Sequence, residues 1–157
     1  MRSREPTIGR MFGVTFDHGD DFFEALDEFC HANSVRQGYV PMFLAGFSEA
    51  EIVGTCEKLD DPKAPVWSKV HLENVEALGC ATIAGNGDDH RLLPHVHVAL
   101  GRKEHSAAGH TSHLLSAQVQ FLTGMLLVEV LAPAMRRSPD PSLYNVPLLT
   151  LGAEQAI

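Results

Sequence analysis

Two histidines separated by a single residue, His95 and His97, are the strongest candidates for chemistry in this chain. They lie in the run from Pro94 to Leu100, whose valines favour a β-strand. Alternate residues of a strand point to one face, so the Cα atoms of the pair lie about 6.5 Å apart and both imidazoles can reach one ion at roughly 2.1 Å. This spacing predicts most of a metal site, although an H-x-H pair alone also occurs on solvated strand faces.

The strand that carries the pair has one apolar face. Val96, Val98 and Leu100 alternate with the two histidines, so the apolar face can pack into a core while the histidines lie on the opposite face. The histidines therefore have no packing role that would explain them.

Upstream of this strand, the sequence predicts a strand, a helix and a long extended segment. Residues 10–16 alternate as a strand, and Asp21 with Glu24 three residues later forms a capping-box pattern at the start of a helix. The helix ends near Asn33, and residues 38–53 are predicted to be extended. Its apolar stripe is predicted to be core and consists of Phe22, Leu26, Phe29 and Cys30.

Downstream of the histidine pair, glycine and proline divide the chain. We predict a polar loop from Gly101 to Gly109 and then two strands, over 114–122 and 125–131. The predicted organisation is an N-terminal arm over 1–9, one domain over 10–132 and a proline-rich C-terminal tail over 133–157.

Length and composition are those of one globular domain: 157 residues, of which 45% are hydrophobic and 20% charged. The sequence has neither an apolar run long enough to span a membrane nor the apolar stretch of a signal peptide, which predicts a cytoplasmic protein. The chain has three cysteines, an odd number, and they are widely spaced: Cys30, Cys56 and Cys80. This arrangement predicts reduced core thiols rather than a disulfide framework.

The net charge of −8 argues against strong autonomous binding to nucleic acid, because non-specific DNA affinity comes mainly from neutralised phosphates. Basic residues occur only in small groups, which we interpret as solvated surface: Arg2, Arg4 and Arg10; Arg102 and Lys103; and Arg136 and Arg137.

Several motifs follow one another in an order that resembles a known family. They are Gly19 to Asp21 opening a helix, Phe43 to Ile52, Leu72 to Gly79, His95 to Leu100, and His113 to Ala117. Over roughly residues 10–131 the chain resembles the plants and prokaryotes conserved (PPC) domain, most specifically through H-x-H-x-x-L followed by H-L-L-x-A. The resemblance implies a compact α/β domain of the α+β type, with a curved, largely antiparallel sheet and few helices, which assembles as a homotrimer.

The resemblance also implies a function. Bacterial members of the family are commonly described as DNA-binding, which implies a DNA-binding or transcription-regulatory module. Plant members carry the domain beside an AT-hook, but this chain has no Arg-Gly-Arg-Pro sequence, so DNA binding rests here on family membership alone.

Some prokaryotic members of the family resemble metal proteins in which histidines of the two motifs hold an ion. On that pattern His95 and His97 match the first motif and His113 the second, with His110 as the alternative third ligand. The alternative arises because the family usually has Gly-Gly before the second-motif histidine, whereas Thr111 and Ser112 precede His113 here and Gly109 precedes His110. Three imidazoles suit Zn²⁺ best among the common ions and leave a fourth position for water or an exogenous group.

An open fourth position is also compatible with a metal-dependent enzyme or a small-ligand-binding protein acting at a three-histidine site between subunits. An enzyme of that kind needs a general acid or base. The candidates near the motifs are Asp88, Asp89, Glu104, His105 and Glu129, and each also suits an ordinary surface position. We therefore assign no catalytic residue from the sequence and favour the non-enzymatic function. The remaining histidines, His18, His31, His71 and His90, are interpreted as structural or exposed.

Overall fold

A computed structural model of the chain describes residues 3–54, 69–85, 92–102, 104–143 and 146–152. Within these ranges it contains strands and one α-helix, joined near the C-terminus by a short 3₁₀ helix. The elements are β1 (Thr7–Asp17), α1 (Phe22–Ala32), β2 (Gly38–Val53), β3 (Lys69–Gly85), β4 (Leu92–Arg102), β5 (His105–Ala132), β6 (Met135–Asp140), the 3₁₀ helix (Pro141–Leu143) and β7 (Val146–Leu151).

Four long strands close into a barrel-like sheet. β2 pairs with β3, β3 with β4, β4 with β5, and β5 returns to pair with β2, all antiparallel. β1 pairs with the C-terminal half of β5, beyond the segment that pairs with β4. This architecture confirms the predicted α+β domain with a curved, largely antiparallel sheet.

The inner face of the barrel holds the core. Side chains alternate along each strand, so Val96, Val98 and Leu100 of β4 point inward and are almost fully buried. Helix α1 adds Phe22, whose ring packs 5.1 Å from that of Phe43 between centroids. Asp21 caps the helix as predicted, because its carboxylate accepts the backbone N–H of the second and third residues that follow it, at 2.9 and 3.0 Å.

The predicted loop from Gly101 to Gly109 was wrong, because β4 continues to Arg102 and β5 begins at His105. Gly101 and Gly109 are directly opposed in the β4–β5 ladder. A Cβ atom on Gly109 would collide with the carbonyl of Leu100. Gly109 is therefore required by the close approach of the two strands. From the sequence alone, such a glycine cannot be distinguished from a glycine in a turn.

The two strands predicted over 114–122 and 125–131 are one strand with a bulge. Ala45 and Gly46 of β2 oppose Thr123 and Gln120 of β5, so two residues of β5 have no partner in that register. Phe121 lies in this bulge with φ of +69° and is 72% exposed. The gap between the two predicted strands is therefore a local irregularity in a continuous strand.

The described residues after Pro133, within the predicted proline-rich C-terminal tail, form a hairpin. β6 pairs with β7 in regular antiparallel register from Met135 opposite Leu151 to Asp140 opposite Val146. Arg136 also pairs with Gly85 at the end of β3. This hairpin brings β6 to the part of the sheet where β3 and β4 pair.

The prediction that the cysteines are core thiols holds for Cys30 but is wrong for Cys80. Cys30 is fully buried in α1, and burial raises the pKa of its thiol to about 12. Cys80 is exposed because it lies on the outer face of β3. Cys56 lies outside the described residues.

Candidate metal centre

Strands β4 and β5 bring three histidines together on the outer face of the barrel. His95, His97 and His113 each offer a ring nitrogen, and these nitrogens all lie within 4.8 Å of one another. The Nε2 atoms of His95 and His97 are 2.9 Å apart. The ring centroid of His113 lies 4.1 Å from that of His97 and 4.6 Å from that of His95. All three side chains are half-buried.

Strand alternation and register explain this cluster. His97 of β4 is directly opposite His113 of β5, and directly opposed residues share one face of a sheet. His95 lies two residues before His97 and therefore on the same face. Pro94 precedes the pair. At this point β4 pairs with β3 on one side only, because its pairing with β5 begins at His97. A strand edge of this kind tolerates proline, which has no backbone N–H.

The surroundings keep two of these imidazoles, those of His95 and His113, neutral. The pKa of His95 is lowered from 6.5 to about 4, first by burial and then by the positive charge of Arg137 and by the two other imidazoles. The pKa of His113 is also lowered, by burial, by His97 and by Arg137. Because neutral imidazole is the form that binds a metal ion, two of the three side chains are in the ligand form at neutral pH.

The donor set fits a small divalent transition-metal ion. Two nitrogens bound to one tetrahedral Zn²⁺ lie about 3.3 Å apart, which is within a few tenths of an ångström of the separation between the Nε2 atoms of His95 and His97. The His113 ring is close enough for a rotation of the imidazole to bring its nitrogen to the same point. Three protein ligands leave one tetrahedral position for an exogenous group.

Arg137 was predicted, together with Arg136, to be solvated surface, and this prediction is wrong for Arg137. Arg137 is only 6% exposed, whereas Arg136 is exposed. The two arginines are adjacent in strand β6 and therefore point to opposite faces. Met135 and Arg137 are two residues apart, as are residues on one face of a strand, and both are buried. This spacing could have predicted a strand, but the prolines that follow favoured a tail instead.

Three hydrogen bonds hold the Arg137 guanidinium near the histidines. Its Nε donates to the carbonyl of Leu93 at 3.3 Å, and its Nη1 donates to the carbonyl of Pro147, also at 3.3 Å. Its Nη2 donates to the hydroxyl of Thr82. Thr82 is directly opposite His95 in the β3–β4 ladder, so the guanidinium is tied to the histidine face of the sheet.

A cavity of 360 Å³ opens beside His95 and His97. Cys80, which is directly opposite His97, contributes to its wall on the same face. The remaining lining comes from β2 and β3 and is largely apolar: Tyr39, Val40, Pro41, Ala81 and Thr82.

The outer face also carries exposed apolar side chains, which we call the outer apolar patch: Met42, Leu44, Leu78 and Leu126. Leu44 and Leu78 are directly opposed across β2 and β3 and are 56% and 55% exposed. Met42 is opposite Leu126 across β2 and β5. Leu78 in turn opposes Ala99, two residues beyond His97, so the patch and the histidines share one face.

The alternative third ligand, His110, lies on the other face of the sheet. It is directly opposite Leu100, whose side chain points into the barrel, and no register shift separates it from His113. The structure thus brings His113, and not His110, to the pair.

The acid or base candidates are not gathered at the histidines among the described residues. Glu104 is exposed and lies 3.6 Å from Arg102. Glu129 is buried and accepts three hydrogen bonds from Arg10, which lower the pKa of its carboxyl to about 2. Asp88, Asp89 and the side chain of His105 lie outside the described residues.

The remaining histidines have separate environments. His18 accepts a hydrogen bond from the backbone N–H of Phe121 at 3.1 Å. His31 and His71 are exposed, as predicted, and His90 lies outside the described residues. Within the described ranges, no helix has the length and apolar composition needed to cross a membrane.

Solved structures with the same fold include proteins from archaea and bacteria. A metal-containing protein from Archaeoglobus fulgidus superposes with a TM-score of 0.78 at 20% identity, covering 96% of this chain and 99% of that one. A plant- and prokaryote-conserved (PPC) protein from Pyrococcus horikoshii gives 0.75 at 18% identity, covering 98% and 99%. A proposed DNA-binding protein from Ralstonia eutropha JMP134 gives 0.72 at 19% identity, covering 89% and 90%.

At these identities the likeness establishes the fold. No curated protein matches the chain. A family model, in contrast, matches residues 3–132, which include the helix, all four barrel strands and the three histidines. Since this match covers most of the chain, the protein belongs to the Plants and Prokaryotes Conserved (PCC) domain family, the PPC family that its motifs resemble.

Proposed function

We propose that this protein is a homotrimeric PPC-domain protein in which His95, His97 and His113 hold one divalent transition-metal ion, with Zn²⁺ the best fit. The observation that carries the proposal is the convergence of three half-buried imidazoles on one point from two adjacent strands. A metal-containing protein with the same fold supports it.

Metal analysis of purified, tag-free protein tests the site. The wild-type chain is expected to contain one equivalent of metal, and His95→Ala, His97→Ala and His113→Ala are each expected to abolish stoichiometric binding. His71→Ala is the matched control, because His71 also lies on a strand but is exposed and outside the cluster. Equal metal content in the wild type and a His95→Ala/His97→Ala double variant contradicts the proposal.

The trimer is supported by the outer apolar patch. Side chains such as Leu44 and Leu78 are more than half exposed in the single chain, and a contiguous apolar surface of this kind is typical of a subunit interface. Light scattering at micromolar concentration is expected to give three times the chain mass of 17.1 kDa. A monomeric mass contradicts this part of the proposal.

The proposed role is that of a DNA-associated or transcription-regulatory module in which the ion is structural or sensory. Proteins of the same fold from Ralstonia eutropha JMP134 and Bacteroides thetaiotaomicron, each a proposed DNA-binding protein, support this role. We expect a partner to supply the DNA affinity, because three chains of −8 each carry −24 and repel phosphates.

Gel shifts test the need for a partner. The isolated protein is expected to bind generic duplex DNA weakly at physiological salt. One reason is that Arg137 is buried, so the pair Arg136 and Arg137 offers only one of its two positive charges to a phosphate at the surface. Sub-micromolar affinity with a steep salt dependence would overturn this expectation.

A second candidate function is a small-ligand-binding protein or metal-dependent enzyme that uses the same three histidines. The specific observation in its favour is the cavity beside His95 and His97, together with the buried Arg137 behind Thr82. A bound Zn²⁺ supplies a Lewis acid at its open position. The two candidates differ in whether the isolated, metal-loaded protein binds a small molecule in this cavity.

A further inference from the structure

Arg137 is a buried cation for which the described residues provide no carboxylate. Its hydrogen bonds go to two backbone carbonyls and to the Thr82 hydroxyl, and no acidic side chain of the described ranges lies within 4 Å of it. Arg10 shows the usual arrangement, in which the guanidinium binds both carboxylate oxygens of Glu129. A guanidinium buried without an anion is costly, which makes the absence of a counter-charge informative.

The guanidinium also retains donor capacity. It has five N–H groups, and its hydrogen bonds within the described residues use one from each nitrogen. One N–H on Nη1 and one on Nη2 therefore remain for another acceptor. Two free donors on the terminal nitrogens are enough for the two oxygens of a carboxylate.

The neighbouring cavity indicates what kind of anion fits. Thr82, which accepts a hydrogen bond from Arg137, lines this cavity together with His95 and His97. The opposite lining includes Tyr39 and Pro41, and the volume of 360 Å³ lies at the lower end of the range for small-molecule sites. The Arg137 guanidinium is not part of the cavity wall but lies behind Thr82, so its positive charge acts on the cavity across that residue. Together with the apolar lining, this charge favours an anion with a short carbon chain.

We infer that the exogenous ligand of this centre is a small organic carboxylate. Its negative charge is compensated by Arg137 and by the metal ion at its open position, and its carbon atoms occupy the apolar cavity beside Tyr39 and Pro41. Arg137 thus supplies positive charge to the ligand site from behind Thr82. This inference rests on the proposed metal site and adds the class of ligand that the site takes.

A carboxylate fits this environment better than inorganic phosphate. A phosphate dianion needs several further donors, whereas the cavity wall opposite the histidines is formed by Tyr39, Pro41, Cys80 and Ala81. We therefore expect affinity to increase from acetate to butyrate, because each added methylene buries apolar surface. Inorganic phosphate is expected to bind more weakly than butyrate.

The test uses the full-length protein loaded with Co²⁺, whose visible spectrum reports changes at the fourth position. Butyrate is titrated into the wild type, Arg137→Met, Arg137→Lys and the matched control Arg136→Gln, and metal content is measured separately for each. We expect one equivalent of metal in all four, unchanged butyrate affinity in Arg136→Gln, and an affinity at least tenfold lower in Arg137→Met. Arg137→Lys is expected to lie between, since it keeps the charge but loses the fork.

A second variant covers the case in which Arg137→Met does not fold. Cys80→Phe changes a residue of the cavity wall that is exposed in the single chain, and it is expected to fill the space. Butyrate binding is then expected to be lost, while metal content and the mass of the assembly are unchanged. Metal-loaded wild type that does not bind butyrate, or binds phosphate more tightly, overturns the inference. Unchanged butyrate affinity in Arg137→Met or in Cys80→Phe does the same. Failure of the wild type to bind metal instead overturns the proposed metal site.

Discussion

The two faces of strand β4 have different surroundings and different residue types. On the inner face Val96, Val98 and Leu100 are at most 2% exposed and are packed on all sides. On the outer face His95 and His97 are half-buried beside an open cavity. Because the two sets alternate over residues 95–100, the strand separates stability from chemistry by side-chain direction alone.

Charge follows the same division. Glu129 lies on the packed side of β5, near the rim, and its carboxylate is matched there by Arg10. Arg137 lies at the histidine face and has no matching carboxylate among the described residues. A charge that the fold satisfies internally serves stability, whereas one left for another molecule to satisfy points to binding.

The largest expected effect is on the inner face. Leu100→Ala removes a fully buried side chain and leaves a cavity, which is expected to lower the free energy of unfolding by about 2–5 kcal/mol. His97→Ala in the metal-free protein is expected to change it by less than about 0.5 kcal/mol, because that side chain is not part of the core. Urea denaturation of both variants, with chelator present, gives the two values.

If Leu100→Ala and His97→Ala lower the free energy of unfolding equally, the inner face of β4 does not contribute more to stability than the outer face. Metal analysis then sharpens the comparison, because folded Leu100→Ala is expected to keep its metal and His97→Ala to lose it. The two substitutions lie three residues apart on one strand, so differences in local secondary structure do not explain opposite outcomes.

The next effect concerns assembly through the outer apolar patch. Leu44→Glu combined with Leu78→Glu is expected to convert the proposed trimer into monomers, because two carboxylates per chain would have to be buried at the interface. Both side chains are more than half exposed in the single chain, so the monomer is expected to remain folded. Light scattering measures the mass, and circular dichroism checks the fold. A folded variant that stays trimeric places the interface elsewhere.

The sequence predicted the helix, the inner face and the histidine pair because each depends on residues close together in the chain. Alternation around Val96 and Val98, or capping by Asp21, is visible in a window of a few residues. The positions of Arg137 and Thr82 are different: they are 55 residues apart and meet only because the β6–β7 hairpin returns to the sheet. Glycines at close strand contacts, such as Gly109, were interpreted as a loop for the same reason.

A smaller, pH-dependent effect is expected at Glu129. Its pKa is lowered from 4.5 to about 2 by hydrogen bonds from Arg10, so its stabilising contribution is complete above pH 4.5 and is lost as the pH falls towards 2. Glu129→Gln is expected to lower the urea midpoint at neutral pH. The difference from the wild type is expected to shrink between pH 4.5 and 2. A difference that does not change over this window contradicts a structural role for the ion pair.

The smallest expected effect is that of His110→Ala, and it tests the comparison of faces most directly. His110 and His113 are three residues apart on β5, yet His110 opposes the inward-pointing Leu100 while His113 opposes His97. If side-chain direction decides which histidines bind metal, His110→Ala keeps one equivalent of metal and His113→Ala does not. Stability in His110→Ala is expected to change by less than about 0.5 kcal/mol, since the side chain is only partly buried. Loss of metal in His110→Ala with retention in His113→Ala would mean that β5 is shifted by an odd number of residues against β4, because only such a slip exchanges the faces.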